Sequence, residues 1–104
     1  MPEVIRVMIR KKMLAKRDPA LILDVFPPFT GYATQEKMNE RLRNHADPEQ
    51  ARNAVNRGIK LGLIQKEHFR SQHSVHDLEV TPNYYLESAW NDRILAYLRA
   101  EKRK

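Results

Sequence analysis

Residues 50–60 hold Gln50, Arg52, Asn53, Asn56, Arg57 and Lys60, side chains that suit hydrogen bonding to nucleic-acid bases. An arginine matches the O6 and N7 acceptors of guanine, and an asparagine or glutamine matches the donor and acceptor of adenine in the major groove. If the segment is helical, Ala51, Ala54, Val55 and Gly58 fall on the opposite face, so the polar set is presented together. Gln50, Asn53 and Arg57 lie at i, i+3 and i+7 on one stripe, Asn56 lies beside it, and Arg52 and Lys60 are placed to hold phosphate. Two asparagines and a glutamine are poor choices for a helix that only has to be solvated, because asparagine favours caps and turns.

Other chemistry has little support. The chain has no cysteine, which removes disulfides, thiolate metal sites and cysteine nucleophiles together. Its three glycines, Gly31, Gly58 and Gly62, form no phosphate-cradling loop. His68, His73 and His76 sit in a polar stretch without partner ligands, so surface histidines are expected and no metal. Asp24 and Glu40 are not constrained to act as a carboxylate pair, and no nucleophile motif is present. The expectation is a protein that is not an enzyme and uses no cofactor.

The elements that must position the polar helix can be read from the same sequence. The 104 residues suffice for one small core. Ile5, Met8, Ile9 and Met13 repeat at helical spacing and predict a helix within residues 3–16, although Ile5, Val7 and Ile9 also alternate as in a strand. Asp18 reads as an N-cap with Pro19 at the first helical position of a short helix to Phe26, stopped by Pro27 and Pro28. Thr34 caps a helix to Arg43 on which Met38 and Leu42 share a face. Asp47-Pro48-Glu49-Gln50 is a capping box that opens the polar helix, and Gly62 is its left-handed stop. Residues 63–69 and 77–81 read as two strands, the second ended by Pro82. From Tyr84 to Lys102 the residues Leu86, Ala89, Trp90, Ile94, Tyr97 and Leu98 recur at helical spacing.

Two helices, a third after a tight turn and then a hairpin resemble the winged helix-turn-helix family. The carriers are Ala20-Leu21-Ile22-Leu23, Thr34-Gln35-Glu36-Lys37-Met38, Asp47-Pro48-Glu49-Gln50, and the junction Ile59 to Gln65 followed by Leu78-Glu79-Val80-Thr81. With helices added at both ends, the chain is most similar to dimeric MarR- and PadR-type transcription regulators. The resemblance implies a mainly α fold with a small β-hairpin, divided into a basic N-terminal helix (1–17), a winged helix-turn-helix (18–83) and a C-terminal dimerisation helix (84–104). It implies sequence-specific binding of double-stranded DNA by a homodimer, with the helix 48–61 in the major groove and the hairpin 63–81 as wing. At the wing, Arg70, Gln72 and His73 are the candidate contacts.

Charge refines this expectation. The 19 Lys and Arg against 13 Asp and Glu give a net +6, concentrated in residues 1–17 with six bases and one acid. Lys16 and Arg17 are expected to reach phosphate from that segment. Residues 18–83 carry eight bases and nine acids, which suits the alternatives of a protein-interaction module or a DNA-packaging or replication accessory protein. The apolar face of the last helix is wider than a three-helix core requires, so Leu86, Trp90, Ile94, Tyr97 and Leu98 are expected to form a subunit interface. Arg6, Arg10, Lys11 and Lys12 interrupt the apolar residues at the start as no signal peptide would, and no run approaches a membrane span, so a cytoplasmic protein is expected.

Overall fold

The computed structural model describes residues 2–28, 32–68 and 82–102. Among the described residues, five helices and three strands follow in the order α1 (Glu3–Arg10), α2 (Asp18–Val25), β1 (Ala33–Thr34), α3 (Gln35–Arg43), α4 (Pro48–Leu61), β2 (Ile64–His68), β3 (Pro82–Leu86) and α5 (Ser88–Lys102). The strands form one antiparallel sheet in the order β1-β3-β2. Ala33 pairs with Tyr84, and β3 runs against β2 from Ile64↔Leu86 to His68↔Pro82. No helix among the described residues is long and apolar enough to cross a membrane.

Helix α2 is the centre of the core. Its Leu21, Ile22 and Val25, with Phe26 just beyond it, are buried, and α4 lies on it through the buried Ala51, Ala54, Val55 and Gly58. Gly58 lies at this crossing: a Cβ there would stand 2.9 Å from Ile64 Cδ1 and 3.3 Å from Ile22 Cδ1, so the ends of those two side chains would have to shift to admit it. Met38 and Leu42 of α3, together with Ala33 and Tyr84 of the sheet, close other sides. The cap expected for α3 is present, and of the capping box expected for α4 the Asp47 half forms, while Asp47 N–H donates to His45 Nδ1 and not to the Gln50 side chain. Thr34 Oγ1 accepts from Lys37 N–H at 3.1 Å, and Asp47 Oδ1 accepts from Gln50 N–H at 3.5 Å. Gly62 ends α4 at φ 84°.

Helix α1 is shorter than the expected span 3–16, and its end has a geometric cause. At about 100° per residue, an uninterrupted helix would place Leu14 about 180° around from Ile5, yet both are buried, at 2% and 0% exposure. The helix therefore stops after Arg10, and Lys12 takes the left-handed conformation at φ 62°. That conformation costs a residue with a Cβ ~1–2 kcal/mol, whereas burying Ile5 and Leu14 contributes roughly 1.5–3 kcal/mol each. Burial wins.

Three further expectations are corrected. Asp18 is not the cap of α2; it is the first helical residue, and its carboxylate turns back to accept from Ala15 N–H at 2.8 Å. Pro82 begins a strand rather than ending one, and residues 82–86 pair with β2 while the helix starts only at Ser88. Tyr84 decides this, because pairing with Ala33 buries its ring in the core. The strand expected at 77–81 lies outside the described residues. Finally, Ile94 and Tyr97 are 0% and 4% exposed within a single protomer, so they are core and not a free subunit interface. Helix α5 is covered by α1 and α2 of its own chain. Leu86, Trp90 and Leu98 are partly buried against the same core, and Arg93 lies over the Trp90 ring at 4.5 Å.

Candidate nucleic-acid interface

The inner face of α4 fixes what its outer face presents. With Ala51, Ala54, Val55 and Gly58 buried, helical rotation puts Asn53, Asn56 and Lys60 on the face directly away from the core, with Glu49 at its start and Arg52 and Gln50 on the two flanks. All six are exposed. The side chains of Arg52, Asn53, Asn56 and Lys60 make no hydrogen bond or ion pair among the described residues. The stripe Gln50–Asn53–Arg57 is therefore divided: Asn53 stands near the centre of the exposed face, and Gln50 and Arg57 stand at one edge of it.

Arg57 has a different occupation from the one its sequence position suggests. Its Nε donates to Asp18 Oδ2 at 2.6 Å and its Nη2 donates to Asp18 Oδ1 at 3.0 Å, a two-pronged, charge-assisted contact. Asp18 is 1% exposed while the Arg57 side chain is 37% exposed. The hydrogen bond to Asp18 holds the guanidinium above the ordinary arginine value, although burial works against it. A fork engaged in this way is not presented to a guanine. The structure thus reassigns Arg57 from base reading to holding α4 in place.

The turn between α3 and α4 is pinned just as firmly. His45 Nδ1 accepts from Asp47 N–H at 2.9 Å, so the ring proton is on Nε2, which lies 2.9 Å from Asp24 Oδ2 on α2. Arg41 Nη1 donates to the Val25 carbonyl at 3.0 Å and satisfies the end of α2. These partners were not foreseen: Asp24 and His45 are 21 residues apart, and nothing local in the sequence links them.

Of the basic residues expected at phosphate, Lys16 is exposed and lines a shallow groove with Ile9, Lys12, Leu14, Ala15 and Arg57. Arg17 Nη1 lies 3.6 Å from Asp47 Oδ2, with both side chains largely exposed, a pair that contributes little to stability. Arg70, Gln72 and His73 lie outside the described residues.

A second cleft, of about 570 Å³, lies between the end of α2, β3 and the start of α5, lined by Phe26, Tyr32, Tyr85, Glu87, Asn91 and Asp92 among others. The Tyr32 and Tyr85 rings meet edge to face at 4.9 Å, and Tyr85 Oη donates to Glu67 Oε1 at 3.2 Å. Burial, followed by the neighbouring Glu67, pushes the Tyr85 phenol above the ordinary tyrosine value. Its lining has two carboxylates and no lysine or arginine, a surface that repels phosphate. The described residues contain no group of three His, Cys, Asp or Glu able to hold a metal ion. Comparison of the chain with protein-family models, curated proteins and solved structures returns no match.

The asymmetric burial of the ion pair makes its two halves unequal. Arg57→Ala strands a buried carboxylate and is expected to cost about 3 kcal/mol. Asp18→Asn keeps an acceptor for Ala15 N–H and leaves a guanidinium that water can reach, so about 1 kcal/mol is expected. Urea denaturation of both variants measures the ranking, and an equal or reversed order would contradict the placement of Arg57.

Proposed function

We propose that the protein is a winged helix-turn-helix DNA-binding protein that works as a homodimeric transcription regulator, with α4 in the major groove. The observation that carries this reading is the outer face of α4, where the exposed side chains of Asn53, Asn56, Lys60 and Arg52 make no hydrogen bond or ion pair among the described residues. A helix with its side chains is ~10–12 Å across, and the major groove is ~12 Å wide, so such a face can reach base edges. The order α2, β1, α3, α4, β2, β3 and the strand order β1-β3-β2 support the same reading.

With Arg57 engaged by Asp18, base reading falls to Asn53 and Asn56. Their amides pair with adenine N6 and N7, so the read positions of each half-site are A·T pairs. Lys60 and Arg52 hold phosphates and confer affinity without sequence preference. The near-neutral charge of residues 18–83 favours a second reading, a protein-interaction module, which would bind no duplex.

Fluorescence anisotropy with random and selected duplexes over a salt series separates the two. The DNA reading expects affinity that falls steeply with salt, an Asn56→Ala variant that loses ~1–3 kcal/mol of discrimination at one base pair, and a Lys60→Ala variant that weakens all duplexes alike. Absence of salt-dependent binding by the intact protein would remove the reading.

Within this reading the homodimer contact falls on the exposed face of α1 and not on the covered residues of α5. Val4 and Val7, one turn apart on α1, are 40% and 38% exposed, while Ile94 and Tyr97 are already covered. Sedimentation equilibrium is expected to return a dimer for the native chain and a monomer for Val4→Glu/Val7→Glu. A native monomer at high micromolar concentration contradicts the dimer.

A further inference from the structure

Two helices of this chain end in the same motif with different residues at its critical position. At the end of α4, Leu63 N–H donates to the Gly58 carbonyl at 2.9 Å and Gly62 N–H to Ile59 at 3.1 Å, with Gly62 left-handed at φ 84°. At the end of α1, Met13 N–H donates to Met8 at 2.8 Å and Lys12 N–H to Ile9 at 3.0 Å, with Lys12 left-handed at φ 62°. Glycine adopts this conformation without steric cost, and lysine does not. The fold needs a left-handed residue after α1, but it does not need a lysine.

The surroundings of Lys12 supply a reason for the lysine. Lys12, Lys16 and Arg57 border a groove whose floor is Ile9, Leu14 and Ala15. Arg57 is answered by Asp18, whereas Lys12 and Lys16 have no ion pair among the described residues. The groove therefore carries two unanswered positive charges. It also lies on one flank of α4, next to Arg57. When a helix fills the major groove, its flanks approach the sugar–phosphate walls, so a cationic groove there meets backbone and not bases.

We infer that this groove seats the DNA backbone beside the reading helix, with Lys12 and Lys16 as its two phosphate contacts and Lys12 held in a strained turn for that purpose. The inference rests on the DNA-binding reading and adds to it the backbone contact and its residues. Arg17, the neighbour expected to share this work, is near Asp47 instead.

The test uses the full chain and a random 20-base-pair duplex, with affinity measured by anisotropy over a salt series and thermal unfolding measured in parallel. Lys12→Gly is expected to raise Tm, because the strain is relieved, and to lower the slope of log affinity against log salt by ~0.9. Lys16→Gln is expected to lower the slope by a similar amount with Tm unchanged, and Lys102→Gln on α5 serves as the charge-matched control with its slope retained. A raised Tm with an unchanged slope for Lys12→Gly, together with an unchanged slope for Lys16→Gln, overturns the phosphate seat while leaving the DNA-binding reading intact. A native chain with no salt-dependent binding overturns both.

Discussion

The contact between Asp18 and Arg57 organises the molecule. A carboxylate at 1% exposure is costly to desolvate, and it is tolerated here because a guanidinium fork and the Ala15 N–H meet its two oxygens. One side chain thereby joins the segment after α1, the first turn of α2 and the outer half of α4. Packing through Ala51, Ala54, Val55 and Gly58 brings α4 close to α2 and turns Asn53, Asn56 and Lys60 outward. The ion pair adds a polar tie at the flank, where Arg57 stands.

Charge is divided between two sides of the molecule. Bases at 12, 16 and 57 gather along one side of α4, while the cleft beside β3 and α5 carries carboxylates and tyrosines. A chain with a net charge of +6 thus has one side suited to an anionic partner and another side that repels it. This separation makes the near-neutral charge of residues 18–83 compatible with the proposed DNA binding, because part of the cationic side is contributed by residues 11–17.

Local chemistry made much of this legible. Thr34, Asp47 and Gly62 each act through neighbours within five positions, so the bounds of α3 and α4 follow from the sequence. What escaped depends on distant partners. Asp18 looks like a cap until Arg57, 39 residues away, claims its oxygens. Tyr84 reads as helical until Ala33 pairs with it, and a two-residue strand leaves no periodic trace. The break in α1 is visible only once Leu14 is known to share the core with Ile5. The apolar width of α5 is legible in the sequence, but that α1 and α2 of the same chain cover it is not.

The proposed function requires that the outer face of α4, and not the acidic cleft, meets duplex DNA. Amide chemical-shift mapping during titration of the labelled protein with a short duplex distinguishes the two faces. Perturbations are expected in residues 49–60 and 11–17, with Tyr32, Tyr85 and residues 87–92 unmoved. Perturbations confined to that cleft, or none at saturating DNA, would overturn the proposal.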